Sequence, residues 1–296
     1  MVLNNPTKPY LVRLNYKCIK KVKNLISING QLLDLSSPKI MGIINITPDS
    51  FYDKSRATDM DSILEKAEEM VLDGVEIIDL GAMSSRPGAE IIEEEIELGR
   101  LIPVIKAIST HFPSVILSID TIRASVAEVA INVGAHIIND ISGGHFDSKM
   151  LETVGNLGVP FICMHSKGLP KEMQLNPNYN NILVEIIDYF IERLSACHLA
   201  GIKDVIIDPG FGFGKTIEHN YTLLKQLNSF SFLNAPILVG LSRKSMIYKP
   251  LEISIEESLP ATTALHLFSL QNGAKILRVH DVKAAKQAID LFHLLA

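Results

Sequence analysis

The sequence predicts an α/β protein, a (β/α)8 barrel of the TIM type preceded by a short N-terminal β-hairpin extension. Three observations carry this. From residue 39 onward, short β-branched apolar runs alternate with stretches whose apolar residues recur at i, i+3 and i+4, eight times over. Gly74, Gly134, Gly158, Gly201 and Gly273 each fall between a helical stretch and the next apolar run, where a left-handed cap is wanted. Every one of the eight runs ends on polar or ionisable residues, as expected where barrel strands converge on one active face. An open doubly wound sheet is the alternative. It needs a topological switch, which a sequence does not display, and eight units with none missing favour the barrel.

In chain order, residues 1–37 form the extension, a small β cap over one end of the core. The segments 24–28 and 31–35 flank Asn29-Gly30, a strong hairpin turn signal. A second strand pair is expected over 10–14 and 16–19. Residues 38–296 form the barrel. Its strands are predicted over 40–45, 76–80, 115–120, 136–140, 160–165, 204–208, 237–241 and 275–280. Helices are predicted over 60–73, 93–110, 123–133, 149–156, 182–199, 217–227, 256–271 and 282–294. Ile63, Ala67, Met70 and Val71 form one helical stripe, and Ile186, Ile187, Phe190, Ile191 and Leu194 another.

Composition narrows the function. A 47% hydrophobic content can supply a large core, and a net charge of −5, from 28 basic and 33 acidic residues, gives no electrostatic case for nucleic acid. Lys17, Lys20, Lys21 and Lys23 cluster, which reads as a solvated face. Cys18, Cys163 and Cys197 are an odd, scattered set with no CxxC spacing, which points to a reducing cytoplasm. The first residues lack the apolar core of a signal peptide. No run approaches the roughly 20 apolar residues that cross a bilayer.

The chemistry sits at the strand ends: Asn45, Asp79, Asp120, Asn139 with Asp140, His165, Asp208, and Arg278 with His280. Ser242-Arg243-Lys244-Ser245 follows the seventh strand. Any one of these has a bland explanation, since a strand-end Asp often caps the next helix, and for Asp79 and Asp140 that alternative stands level with a site role. Asp120, Asn139, Asp208 and Lys244 supply two carboxylates, an amide and an ammonium. Together they can bond a flat heterocycle with several donors and acceptors. Asn45, Arg278 and His280 suit an anion, with a hard cation among the options. Arg86 and Arg243 either add to that anion group or hold the loops.

Gly210-Phe211-Gly212-Phe213-Gly214-Lys215-Thr216 invites a P-loop reading and fails it, because Pro209 stands where that motif needs Gly. The glycines instead allow a tight strand–helix crossing, with Phe211 and Phe213 divided between core and pocket wall. The histidines show no zinc spacing, and there is no GxSxG elbow. The loops over 47–58 and 81–92 are long for their place and have the composition of lids.

These residues resemble the dihydropteroate synthase family. The resemblance rests on Asn-Ile-Thr-Pro-Asp-Ser-Phe (45–51), Ser-Ser-Arg-Pro-Gly (84–88), Ser-Ile-Asp-Thr (118–121) and Ile-Asn-Asp-Ile (138–141). It continues through Asp-Pro-Gly-Phe-Gly-Phe-Gly-Lys-Thr (208–216), Gly-Leu-Ser-Arg-Lys-Ser (240–245), Leu-Pro-Ala-Thr-Thr-Ala (259–264) and Arg-Val-His-Asp-Val (278–282). The motifs run in order from about residue 32 to the C-terminus. The resemblance implies condensation of 6-hydroxymethyl-7,8-dihydropterin pyrophosphate with 4-aminobenzoate in folate biosynthesis, by an SN1-like path. It implies that Asp120, Asn139, Asp208 and Lys244 hold the pterin with Met164 as a wall, and that Asn45, Arg278 and His280 hold the pyrophosphate. Asp120, Lys244, Arg278 and His280 would carry the catalysis. Mg2+ would bind Asn45 and, on loop closure, Asp49. Ser50, Phe51, Ser85, Arg86, Pro87, Phe213 and Ser245 would shape the 4-aminobenzoate site, where sulfonamides would compete. A homodimer is also implied.

The sequence departs from the family pattern at Gly81-Ala82-Met83, Asp53-Lys54-Ser55 and Ser166-Lys167, all in loops. A methyltetrahydrofolate-dependent methyltransferase is the nearest rival, and it needs neither the Arg278/His280 pair nor the Ser-Arg-Lys-Ser loop. A non-catalytic pterin-binding protein would be expected to show a damaged constellation, and this one is complete. A sugar-phosphate barrel enzyme would carry a Gly-rich phosphate site after its last two strands, which is lacking here.

Overall fold

A computed structural model of the chain describes residues 24–46, 56–83, 91–168 and 177–295. The expected pairing over 10–14 and 16–19 and the lysine cluster at 17–23 lie outside these residues. Strands β1 (Leu25–Ile28) and β2 (Gln31–Asp34) form the antiparallel hairpin. Asn29 and Gly30 turn it with φ of 48° and 78°, the two left-handed residues that a two-residue turn between twisted strands requires.

Eight parallel strands then close into a barrel. They are β3 (Lys39–Asn45), β4 (Ile77–Gly81), β5 (Ile116–Asp120), β6 (Ile137–Asp140), β7 (Phe161–Met164), β8 (Val205–Asp208), β9 (Ile237–Val239) and β10 (Ala274–Val279). Each pairs with its neighbour in sequence, and β10 closes on β3. The helices on the outside are α1 (Arg56–Leu72), α2 (Glu94–His111), α3 (Ala124–Asn132), α4 (Met150–Leu157), α5 (Ile182–Leu199), α6 (Ile217–Lys225), α7 (Ser245–Leu251), α8 (Leu259–Gln271) and α9 (Val282–Leu295). The barrel is therefore the predicted one, with ends shifted by a few residues. The five punctuating glycines all have φ between 67° and 119°. Two elements escape the periodicity reading. Helix α7 is too short to show a period, and the 3-10 segment Leu227–Leu233 extends α6 without one. Of the predicted α5 stripe, Ile186 and Phe190 are buried and Ile191 faces solvent.

Successive side chains in a strand point to opposite faces, and the core divides accordingly. Ile78, Leu80, Leu117, Ile119, Ile138, Phe161, Cys163, Ile207, Val239, Leu277 and Val279 point outward and pack under the helices. Met41, Ile77, Ile137, Ile162, Ile206, Leu238 and Ile276 point inward and form a separate layer near the strand N-termini. The hairpin completes that layer with Ile26, Ile28 and Leu35, and Ser27 N donates to Asp204 Oδ2 at 3.1 Å. The extension thus plugs the barrel end opposite the polar strand ends. Gly155 on α4 marks how tightly the outer layer is packed, since a Cβ there would lie 1.8 Å from the Ala200 carbonyl oxygen.

The plug predicts a contrast within one hairpin. Ile26→Ala, at a buried site, should lower unfolding free energy by about 2–5 kcal/mol. Leu32→Ala, on the same hairpin but 66% exposed, should change it by no more than about 0.5 kcal/mol. Urea unfolding of the two variants reads the difference.

Candidate active site

Following the inward side chains two residues beyond the apolar layer gives the polar mouth: Asp79, Asn139, Met164, Asp208 and Arg278. Register places Asn45 beside Gly81, Gly81 beside Asp120, and Asp120 beside Asn139. Across the barrel, Met164 is the register partner of Asp208. The same alternation separates neighbours in sequence. Asn139 faces in, whereas Asp140 faces out and accepts from the Ser142 and Gly144 amides at 2.7 and 2.9 Å. Asp140 is a turn-forming residue, and burial raises its carboxyl to about 6. His165 also departs from the mouth. Its ring stands edge-on to Tyr189 at 4.8 Å and meets Lys215. The expectation that all eight strand ends supply the site is therefore corrected at these two residues.

Asp79 turns out to be central. It is fully buried, and its Oδ2 accepts from Arg278 Nε at 2.6 Å and from Asn139 Nδ2 at 3.1 Å. The Arg278 guanidinium reaches on through Nη2 to Asp120 Oδ2 at 3.1 Å. One guanidinium thus bridges two strand-end carboxylates. Burial opposes its charge, and Asp79 and Asp120 outweigh that opposition. Asp120 responds the other way. Burial lifts its carboxyl to about 7 against the pull of Arg278, and Asp79 adds to the lift.

On the opposite side, Asp208 Oδ1 accepts from the Gly210 amide at 2.7 Å. Burial raises this carboxyl, and Lys244 opposes the rise. Lys244 Nζ donates to the Phe211 carbonyl at 2.6 Å and lies 4.6 Å from the centre of the Phe213 ring. Burial brings its ammonium down to about 8. Phe213 packs with Ile122, Ile141 and Met164 as an apolar wall, while Phe211 belongs to the main core. His280 and Ser242 pair through Nδ1 and Oγ at 3.1 Å. Ser245 opens α7 directly after Lys244.

Arg243 holds the loops and is not an anion ligand in this arrangement. Its Nε and Nη2 fork onto the two Asp281 oxygens at 2.7 and 2.8 Å, and its Nη1 reaches the Ile255 and Glu256 carbonyls. Tyr189, from α5, clasps the neighbouring strand ends by donating to the Ser142 and Met164 carbonyls at 3.2 and 2.9 Å. Asp79 is a strand-end candidate for which a cap and a site role stand level in the sequence, and Tyr189 is not among the predicted site residues. Alternation from Ile77 locates Asp79, while no sequence signal marks Tyr189. Asp49, Ser50, Phe51, Ser85, Arg86 and Pro87, with the departures at Asp53-Lys54-Ser55, lie outside the described residues.

Comparison with known proteins places the chain among relatives of one family. The family model described as pterin binding enzyme matches residues 41–280. The dihydropteroate synthase of Haemophilus influenzae is 42% identical over 270 residues, covering 90% of this chain and 98% of the relative. That of Escherichia coli K12 is 44% identical over 262 residues, covering 88% and 92%. Among solved structures, Yersinia pestis dihydropteroate synthase in complex with a sulfonamide drug superposes with a TM-score of 0.86 at 39% identity, over 92% of this chain and 98% of that one. The Xanthomonas albilineans dihydropteroate synthase with 4-aminobenzoic acid gives 0.85 at 35% identity, over 92% and 98%.

The raised Asp120 carboxyl has a consequence for stability. Unfolded, it titrates near 3.8, and folded near 7, so the instability it causes is absent below about pH 4 and complete above about pH 7. Asp120→Asn should therefore raise the melting temperature at pH 8 by a few degrees and leave it unchanged at pH 4. Calorimetry at the two pH values checks this.

Proposed function

This chain belongs to the pterin binding enzyme family, among its dihydropteroate synthases, and we propose that its barrel mouth divides the reaction between two groups of side chains. The overall reaction joins 6-hydroxymethyl-7,8-dihydropterin pyrophosphate to 4-aminobenzoate and releases pyrophosphate and 7,8-dihydropteroate, a step of folate biosynthesis. The observation that carries the division is the Arg278 guanidinium, bonded to Asp79 and Asp120 at the end of the strand that His280 follows, with His280 and Asn45 both exposed.

In this reading Asp120, Asn139, Asp208 and Lys244 hold the pterin. Carboxylates accept from its adjacent N–H groups, and the Asn and Lys side chains serve its ring oxygen and nitrogen atoms. Met164 and Phe213 cover its faces. Asn45, Arg278 and His280 take the pyrophosphate. As the C–O bond to that leaving group lengthens, Arg278 meets the growing negative charge. The electron-rich pterin spreads the positive charge left on its methylene carbon, so the path is SN1-like and needs no protein nucleophile. The 4-aminobenzoate nitrogen then forms the C–N bond and gives up a proton. Phe213 and Ser245 would border its site together with Ser50, Phe51, Ser85, Arg86 and Pro87. A mimic of that substrate, such as a sulfonamide, would compete there.

The donor set fits Mg2+ bound chiefly through substrate. Among the described residues no group of three His, Cys, Asp or Glu side chains is placed to cage an ion. Mg2+ commonly keeps its waters and takes one or two protein oxygens plus phosphates. Asn45, exposed at the end of β3, and Asp49 would be those oxygens, and the ion would neutralise pyrophosphate charge. Exposed Leu251, Ile255 and Phe268 around α7 and α8 support the homodimer, which light scattering would test. Among the described residues no helix is long and apolar enough to cross a membrane. Cys163 and Cys197 are free and buried, which suits a cytoplasmic enzyme.

Incubation with the pterin pyrophosphate, 4-aminobenzoate and Mg2+ should release pyrophosphate only when the arylamine is present. No arylamine-dependent release would sink this reading. Asp208→Ala should lower kcat/KM for the pterin substrate by about 100-fold, the size expected for losing hydrogen bonds to a charged group. Its circular dichroism spectrum should be unchanged.

A further inference from the structure

The glycine-rich segment 209–216, which is no P-loop, does something close to the opposite. A P-loop turns backbone N–H groups toward an anion. Here Gly210, Gly212 and Gly214 adopt φ of 68°, 83° and 62°, and carbonyl oxygens turn toward a cation. That cation is the chain's own Lys215, a residue only 3% exposed. Its Nζ lies 2.9 Å from the Gly210 carbonyl, 3.0 Å from the Phe213 carbonyl and 3.2 Å from the His165 carbonyl. His165 Nδ1 completes the shell at 3.0 Å. A carbonyl oxygen can only accept, so the carbonyls face a donor, and the three protons of an ammonium are shared among them and the ring nitrogen. Burial pulls that ammonium well below the ordinary lysine range, and Asp208 opposes the fall.

The cage is built to close tolerances. A Cβ on Gly210 would lie 2.0 Å from the His165 carbonyl oxygen, and one on Gly214 would lie 2.6 Å from that of Lys167. The segment is therefore pressed against the end of β7, and its own carbonyls are crowded together inside. Without the ammonium the Phe213 and His165 carbonyls would lose this donor, while the Gly210 carbonyl would keep only the Phe213 amide at 3.1 Å. What the cage fixes is the pocket wall. Phe213, whose carbonyl Lys215 holds, faces Lys244, and Lys244 binds the adjacent Phe211 carbonyl.

We propose that Lys215 is a positioning residue, a tethered cation whose ammonium organises the carbonyls of segment 209–216 and thereby sets the Phe213 wall of the substrate pocket. This rests on the reading of the mouth given above for its kinetic consequence only. The cage itself is tested without turnover.

Lys215→Ala leaves the carbonyls and makes room for a small free cation. Its melting temperature should lie below that of the wild type and should rise with potassium, ammonium or methylammonium chloride. It should rise less with tetramethylammonium chloride at equal ionic strength, because that ion cannot donate or enter. The wild type should show no such distinction. In the assay, Lys215→Ala should raise KM for 4-aminobenzoate by about tenfold, with a smaller change in kcat. Ammonium or methylammonium should recover most of that loss. Lys215→Met keeps the stem and fills the space, so it should show the KM defect without cation rescue. Equal responses to all four salts in the alanine variant would overturn the cage, as would wild-type KM and melting temperature in the methionine variant. If Lys215→Ala does not fold, its refolding yield should increase with ammonium over tetramethylammonium, and equal yields would also overturn it. A wild-type enzyme inactive with 4-aminobenzoate would sink the proposed reaction and leave the salt-dependent melting test standing.

Discussion

Strand alternation in a closed parallel barrel is the constraint from which the site follows. With eight strands there is no edge, so every strand has one set of side chains facing the helices and one set facing the axis. The axial set must fill its own space. Near the strand N-termini it does so with Met, Ile and Leu, backed by the hairpin. Near the C-termini the same positions carry Asp79, Asp120, Asn139, Asp208 and Arg278. The apolar lower layer excludes water from beneath these groups. The mouth is therefore a polar surface with a low-dielectric floor, where hydrogen bonds and charges act strongly.

Such a mouth is costly to stability in the substrate-free chain. Asp120 and Asp208 are held above the usual carboxylate range by burial, and the Lys244 ammonium is held below its own. Arg278 bonds Asp79 and Asp120 directly, whereas it opposes the rise of the Asp208 carboxyl only after Lys244 and the Gly210 amide. A heterocycle presenting donors to these carboxylates would supply what the fold leaves short. The arrangement is thus preorganised for ligand and not for maximal stability, the usual trade at a functional site.

Much of this was legible from residues alone. The eight units and the glycine punctuation are local signals, and they locate the strands to within a residue or two. Alternation could also have separated Asn139 from Asp140 and promoted Asp79, because each follows an inward isoleucine by two residues. Residue type by itself could not do this, since Asp79 and Asp140 look alike as strand-end acids. One proved to bind Arg278 and the other a turn. Lys215 was hidden for a different reason. Its partners are main-chain carbonyls and a distant histidine, and carbonyls leave no trace in a sequence. Tyr189 was hidden in the same way. Helix α7 escaped because seven residues give fewer than two full turns of periodicity.

Arg243 shows how the two halves of the mouth are mechanically joined. It is a non-glycine residue with φ of 53°, a conformation that costs about 1–2 kcal/mol. The fork onto Asp281, the bonds to the Ile255 and Glu256 carbonyls, and the amide donated to Thr262 Oγ1 hold it there. The backbone reversal sends its two neighbours different ways. Ser242 meets His280, and Lys244 reaches Phe211. Asp281, the partner of the fork, directly follows His280. A shift of the segment that carries Arg278 and His280 must therefore pull on the segment that carries Lys244. In the proposed reaction, geometry set at Arg278 and His280 would thereby reach Lys244, and the strained Arg243 is where that link is made rigid.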